Sequence, residues 1–134
     1  MADKFTKIVA PEWMLDLFRS IDEMDTAEDS GFRVLADDVT LQFGSKSMRG
    51  IADVKKFFAE VDAPFITQHF VDVVYRHGTA YVMQGSASLR KNGEPPRKSV
   101  QAVPLFVLLW LNGEGEVTRY VVDFPPDAAR AAGF

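Results

Sequence analysis

The sequence predicts an α+β fold in which amphipathic helices pack on a curved sheet. Apolar residues recur at helical spacing within residues 11–24 and 50–61, and strand-like segments separated by turn-forming residues fill residues 66–124. The chain has 134 residues, and its eleven Phe and two Trp provide ample material for a core. We therefore expect one domain spanning residues 1–134.

Three helices are predicted in the first half of the chain. The first runs from about Pro11 to Met24, and Pro11 suits its first position because an N–H there would be unpaired anyway. A second, short helix is predicted from Thr26, where Thr26 and Asp29 form a weak capping-box pattern. The third opens at Gly50, and its apolar positions 51, 54, 57, 58 and 61 follow helical spacing.

Five strands are predicted, four of them in the second half of the chain. Short turns connect most of these four, and consecutive antiparallel strands joined in this way form a curved meander. The first and third helices are expected to bury their apolar stripes against the concave face of this sheet. The predicted strands are Val39–Phe43, Ile66–Arg76, Ala80–Arg90, Ser99–Leu111 and Val117–Phe124.

An acidic residue lies at the edge of the apolar face of the first helix. At 100° per residue, Asp22 falls between Leu15 and Phe18, which belong to the apolar arc. A carboxylate in this position is partly desolvated, which is unfavourable unless another group pairs with it.

A histidine occupies a comparable position on the strand Ile66–Arg76. Alternation places His69 on the same face as Val71, Val73 and Tyr75, so its side chain is expected to point toward the core. We expect Asp22 to accept a hydrogen bond from one ring nitrogen of His69, which leaves the other nitrogen as a base. The structural alternative is a core histidine with satisfied hydrogen bonds and a carboxylate that only caps a helix.

Composition argues against several other classes of function. The chain contains no Cys, which excludes disulfides, thiolate metal sites and a Cys nucleophile, and its net charge of −4 argues against a nucleic-acid partner. One inward His with scattered carboxylates is too little for a metal site, and no glycine-rich phosphate loop indicates a cofactor. Neither a membrane span nor a signal peptide is predicted, so we expect a cytoplasmic protein.

The order of several short motifs resembles the SnoaL-like branch of the nuclear transport factor 2-like superfamily. These motifs are Leu35–Thr40, Met48–Gly50, Gln68–Phe70 and Arg119–Asp123, and the resemblance covers about residues 8–127. It implies an α+β cone in which a curved mixed or antiparallel sheet wraps around the N-terminal helices. A deep apolar pocket at the open end and a homodimer joined through the outer sheet face are also implied.

Within that superfamily, the segment Thr67–Phe70 is similar to the one that carries the catalytic His of scytalone dehydratase. Asp22 stands where the partner Asp of that enzyme is expected, and a similar pair serves hexachlorocyclohexane dehydrochlorinase. Both enzymes remove a proton next to a leaving group. The resemblance thus implies that His69 is a general acid/base and that Asp22 orients it.

The chain also departs from the enzymes that it resembles. Ile21, Leu105 and Val107 stand where scytalone dehydratase has Tyr, Ser and Asn, so scytalone itself is not the expected substrate. Tyr120 occupies the place of the acidic residue found in SnoaL-type cyclases and limonene epoxide hydrolase.

We therefore expect a cofactor-independent dehydratase, other lyase or isomerase that acts on an apolar or polyketide-like small molecule. The alternative is a non-catalytic protein that binds a hydrophobic small molecule, with the apolar strand Ser99–Leu111 filling the cone or lining its cavity. An open pocket with Asp22 and His69 in hydrogen-bond reach favours the enzyme. The candidate substrate-binding residues are Tyr120, Trp13, Phe18, Tyr81 and Val107.

Overall fold

The structure is a computed structural model that describes residues 4–62, 65–91 and 101–127. The described residues form seven strands, two α-helices and one 3₁₀ helix. In chain order these are β1 (Thr6–Ile8), α1 (Glu12–Glu23), the 3₁₀ helix (Gly31–Val34), β2 (Leu35–Phe43), β3 (Lys46–Arg49), α2 (Ile51–Asp62), β4 (Phe65–His77), β5 (Ala80–Lys91), β6 (Gln101–Leu111) and β7 (Val117–Asp123).

The seven strands form one mixed sheet with the order β1-β4-β5-β6-β7-β2-β3. Neighbouring strands are antiparallel except β2 and β7, which run parallel. The predicted meander is therefore confirmed as β4-β5-β6-β7, and the predicted α+β class is confirmed with it. No helix in the part of the chain that is described has both the length and the apolar character needed to cross a membrane.

The core lies between the two α-helices and the inner face of the sheet. α1 contributes Met14, Leu17 and Ile21 to it, and α2 contributes Val54 and Phe58. These residues follow the helical spacing on which the two helices were predicted. Burial of these two stripes holds α1 and α2 against the sheet.

The predicted helix from Thr26 is wrong. The chain turns after α1 and then forms the 3₁₀ helix, in which the Ser30 hydroxyl accepts a hydrogen bond from the backbone N–H of Phe32 at 3.3 Å. Gly31 approaches α1 so closely that an added Cβ would lie 2.1 Å from the backbone oxygen of Asp16. This tertiary contact, rather than local propensity, determines the backbone here. α1 itself agrees with its prediction, although Pro11 is the N-cap and not the first helical residue.

Two edge strands were not predicted, and a third strand is longer than expected. β1 and β3 have only three and four residues, and each lies at one edge of the sheet. β2 begins at Leu35 instead of Val39. The turn between β2 and β3 contains Gly44 at φ 59°, a left-handed conformation that glycine adopts easily.

A bulge in β4 changes which residues face the core. The register between β4 and β5 shifts at Asp72, so one residue of β4 has no partner. His69 lies before the bulge and faces inward as predicted. Beyond the bulge Val74 is the inward residue, 1% exposed, and the predicted inward placement of Val73 and Tyr75 is wrong.

Candidate active site

Asp22 and His69 meet where the last turn of α1 crosses the first part of β4. Asp22 Oδ1 lies 2.6 Å from His69 Nδ1, and Asp22 Oδ2 accepts a hydrogen bond from the backbone N–H of His69 at 2.8 Å. The hydroxyl of Thr67 donates to Asp22 Oδ1 at 3.3 Å. The predicted hydrogen bond between the two side chains is present, and the two side chains are only 16% and 13% exposed.

The hydrogen bond to Asp22 determines which nitrogen of His69 is free. An ionised carboxylate offers only acceptors, so Nδ1 carries the proton of the neutral ring and Nε2 keeps a lone pair. Within the described residues Nε2 has no hydrogen-bond partner, and His69 is part of a cavity wall. The imidazole can therefore exchange a proton with a molecule in that cavity.

Phe18 fixes the plane of the His69 ring. The two rings are stacked, with centroids 5.0 Å apart and an angle of 2° between their planes. Phe18 and Asp22 are four residues apart on α1 and therefore lie on the same side of the helix. One turn of α1 thus holds the imidazole by its face and by one nitrogen.

The cavity beside His69 is small and mostly apolar. Its volume is about 40 Å³, which is room for about three water molecules. Three polar side chains of the described residues reach its wall: Thr67, His69 and Tyr120. The remaining lining residues are Ile21, Phe43, Phe58, Ala87, Val103, Leu105, Val122 and Phe124.

The structure places the five candidate substrate-binding residues differently. Tyr120 lines the cavity, and Phe18 lies behind the His69 ring. Trp13 and Tyr81 pack edge to face with centroids 5.2 Å apart, outside the cavity wall. Val107 is fully buried in the core and is likewise not a lining residue. The structure thus brings Tyr120 and Phe18 to the Asp22–His69 pair, but not the other three.

Sequence reasoning missed Thr67 and an aromatic wall of the cavity. His69 follows Thr67 by two residues on β4, so the two side chains share one face of the strand. Strand alternation could therefore have identified Thr67. The aromatic wall consists of Phe43, Phe58 and Phe124. Phe43 lies 6.3 Å from Phe58 and 5.1 Å from Phe124 between ring centroids. These residues come from β2, α2 and the segment after β7, and no local pattern predicts their meeting.

A metal-binding cluster is absent from the described part of the chain. No three side chains of His, Cys, Asp or Glu are gathered there in a way that could hold a metal ion.

The same fold occurs in many solved structures. A protein of ketosteroid isomerase-like fold from Catenulispora acidiphila, in complex with trimethylamine, is 20% identical, with a TM-score of 0.75 over 92% of this chain and 93% of the other. A protein from Shewanella denitrificans described as a SnoaL-like polyketide cyclase is 15% identical, with a TM-score of 0.74 over 90% and 93% of the two chains. An LEH-like epoxide hydrolase from Mycobacterium tuberculosis is 11% identical, with a TM-score of 0.72 over 90% and 86%.

No family model matches the chain, and no curated protein matches it significantly. The structural likenesses nevertheless confirm the predicted fold. The chain has the α+β cone fold, with an open mixed sheet, that these SnoaL-like and ketosteroid isomerase-like proteins share.

Proposed function

We propose that the chain is a cofactor-independent enzyme that transfers a proton within an apolar small molecule, leading to dehydration, another elimination or isomerisation. The observation that carries this proposal is the 2.6 Å contact between Asp22 and His69 at the wall of an apolar cavity. A core histidine with satisfied hydrogen bonds would have partners for both ring nitrogens, whereas the described residues occupy only one.

In the proposed mechanism Nε2 of His69 removes a proton from a carbon atom of the substrate. In an elimination, the electron pair of that C–H bond forms a double bond and the leaving group departs with its own bonding electrons. In an isomerisation, no group leaves: the electron pair forms a C=C bond and the carbonyl π pair moves onto oxygen to give an enolate. Asp22 stabilises the imidazolium that forms and keeps the ring oriented. His69 then returns the proton, either to a departing hydroxyl, which leaves as water, or to another carbon in an isomerisation. Tyr120 is proposed to polarise the substrate carbonyl or the leaving group.

The cavity favours an uncharged and compact substrate. Most of its wall is aliphatic or aromatic, and none of the described residues that line it is Lys, Arg, Asp or Glu. A charged substrate would lose its hydration here without an opposite charge on the wall to compensate. The polyketide cyclase and the epoxide hydrolase among proteins of this fold support an enzymatic role on small organic molecules.

Proton exchange in D₂O tests the proposal without knowledge of the final product. A panel of apolar ketones and β-hydroxy ketones is incubated with the protein, and incorporation of deuterium at the carbon next to the carbonyl is followed by NMR. The proposal predicts enzyme-dependent exchange, or elimination, in at least one compound. Ligands that raise the melting temperature but never exchange would instead support the alternative of a non-catalytic binding protein, which the small apolar cavity also allows.

Asp22→Asn is expected to lower the exchange rate by about 100-fold or more, because the amide cannot offer acceptors to both the ring and the backbone N–H of His69. The same change should cost about 2 kcal/mol of unfolding free energy, since hydrogen bonds to a charged group are lost. Exchange rates and urea denaturation measure the two effects separately.

Thr67→Val is the matched control for Asp22→Asn, because it removes one hydrogen bond to the same carboxylate and leaves the bond to His69 intact. We expect a smaller loss of exchange than for Asp22→Asn. Equal losses in the two variants would contradict the orienting role of Asp22.

Ala87→Leu is expected to abolish ligand binding while the fold is retained. Ala87 lines the cavity, and three additional carbon atoms would fill most of its 40 Å³. Ser86→Leu is the control, because the neighbouring residue on β5 points to the other face of the sheet. Ligand-induced melting shifts measure both variants, and a shift that persists in Ala87→Leu would place the binding site elsewhere.

The homodimer remains a prediction, as do the cytoplasmic location and the absence of a nucleic-acid partner. The outer face of the sheet carries Phe70 and Phe106, which are 45% and 43% exposed. Exposed aromatic residues on one face are compatible with contact to a second copy.

A further inference from the structure

A second and larger hollow lies on the outer face of the sheet, where β3, β2 and β7 are adjacent. Its volume is about 450 Å³, compared with about 40 Å³ for the cavity beside His69. Tyr120 points into that inner cavity, so its neighbours on β7 point to the opposite face. We call this hollow the outer groove. It is lined by Thr40, Leu41, Gln42, Ser47, Met48, Arg49, Arg119 and Val121.

The strand register places one arginine on each side of one threonine. Thr40 is paired with Arg49 on β3 and with Arg119 on β7. Neighbouring strands are about 4.8 Å apart, so the two arginine Cα atoms are separated by about 10 Å. Arginine side chains are long enough to meet at a single group across that distance. In the next row Gln42 is paired with Ser47, which adds an amide and a hydroxyl to the same groove.

Neither arginine is neutralised by an acidic side chain of the described residues. The ion pairs found there are Arg19–Asp16, Arg33–Asp16 and His69–Asp22, all outside the outer groove. The guanidinium of Arg119 lies 4.8 Å from the centre of the Trp110 ring on β6, which is the neighbour of β7 on the side away from β2. This cation–π contact leaves the charge of Arg119 unpaired, and the guanidinium must turn from the ring toward Thr40 to share an anion with Arg49. Asp38 on β2 and Asp123 on β7 are exposed and do not pair with either arginine.

We propose that the outer groove binds the carboxylate or phosphate group of an organic anion. A guanidinium presents a planar fork of N–H donors that matches two oxygens of such a group, and two arginines that flank Thr40 can each donate to one oxyanion between them. The hydroxyl of Ser47 and the second N–H of the Gln42 amide supply further hydrogen-bond donors, whereas the Thr40 hydroxyl donates to the backbone oxygen of Thr118 and the first Gln42 N–H to that of Gly44. The volume of the outer groove exceeds that of a bare ion, so the anion is expected to carry an organic portion. This site is independent of the reaction proposed for His69.

Isothermal titration calorimetry with three ring compounds tests the proposal. Phenyl phosphate and benzoate carry the two candidate anions, and benzamide is an uncharged control of similar size. The proposal predicts saturable binding of phenyl phosphate or benzoate that weakens as salt is raised, and no binding of benzamide. The stronger of the two anions identifies the chemistry that the groove prefers. Absence of binding by both anions at millimolar concentration would overturn the proposal.

Two arginine variants and one matched control locate the binding site. Arg49→Gln and Arg119→Gln are each expected to weaken anion binding at least about tenfold, because each removes charge-assisted hydrogen bonds. Arg76→Gln is the control, since Arg76 is an exposed arginine that also lies over an aromatic ring, 5.6 Å from Tyr81, but outside the outer groove. Arg49 lies on an exposed edge strand, so its variant tests the site even if Arg119→Gln is unstable.

Three results would overturn the assignment. One is unchanged affinity in Arg49→Gln and Arg119→Gln. Another is loss of anion binding in Ala87→Leu, which would place the anion in the inner cavity. The third is a dimer, measured by light scattering, that dissociates in the double variant of Arg49 and Arg119, since this would assign the outer groove to contact between two copies.

Discussion

Replacing His69 by Gln is expected to lower the rate of proton exchange about 100- to 10,000-fold, the usual contribution of a general acid/base. Gln has similar size and can still hydrogen-bond Asp22, so the cavity wall is kept while the proton acceptor is lost. The measurement is deuterium incorporation into a ketone that the wild-type protein turns over. The melting temperature should change little.

His77→Gln is the control for this experiment, because His77 is the other of the two histidines in the chain and is exposed at the end of β4. The His77→Gln variant is expected to catalyse proton exchange at the wild-type rate. Equal rates in wild type, His69→Gln and His77→Gln would remove His69 from the mechanism.

Replacing Gly31 by Ala is expected to cost about 3 kcal/mol of unfolding free energy. The new Cβ would lie 2.1 Å from the backbone oxygen of Asp16 and 2.7 Å from the backbone nitrogen of Leu17, so α1 or the 3₁₀ helix must move. The backbone N–H of Gly31 also donates to the buried hydroxyl of Ser20 at 2.7 Å, and this bond would be strained by the same movement. Urea denaturation measures the change.

Gly113→Ala provides the matched comparison, since a Cβ at Gly113 meets nothing within 4 Å. Its unfolding free energy should stay within about 0.5 kcal/mol of wild type, as for most surface substitutions. If Gly31→Ala were as stable as Gly113→Ala, the close packing of the 3₁₀ helix on α1 would be incorrect.

The parts of the fold that could be predicted are those whose own residues carry the pattern. α1 and α2 have apolar stripes at helical spacing, and the meander β4–β7 has long strands with turn formers between most of them. The edge strands β1 and β3 are too short to show alternation, and they exist because a longer strand offers free backbone groups beside them. The bulge at Asp72 similarly depends on pairing with β5 and not on the sequence of β4 alone.

The candidate site could likewise be predicted only in part. Asp22 and His69 could be paired because each is a polar residue at a position whose neighbours are apolar. Whether an inward residue lines the cavity or fills the core depends on its depth in the cone, which periodicity does not encode. For that reason Tyr120 reaches the cavity, whereas Trp13, Tyr81 and Val107 pack elsewhere in the core.

The hydrogen bonds to Asp22 also stabilise the fold. One carboxylate joins the end of α1 to β4 through three donors, the Nδ1–H and backbone N–H of His69 and the hydroxyl of Thr67. The same contacts that orient the imidazole thus hold a helix to the sheet. Comparison of Asp22→Asn with His69→Gln separates the two roles, because only the former should lower both stability and exchange.

The most direct test of the account is the protonation pattern of the His69 ring, measured by ¹⁵N NMR of histidine-labelled protein in mildly alkaline solution. We predict that His69 carries its proton on Nδ1 and an unprotonated Nε2, and that the Nδ1 signal changes in Asp22→Asn. The exposed His77, whose ring contacts Phe5 but has no hydrogen-bond partner among the described residues, serves as the internal reference. A proton on Nε2 of His69, or a spectrum that averages like that of His77, would contradict the claim that Asp22 holds this imidazole as a base facing the cavity.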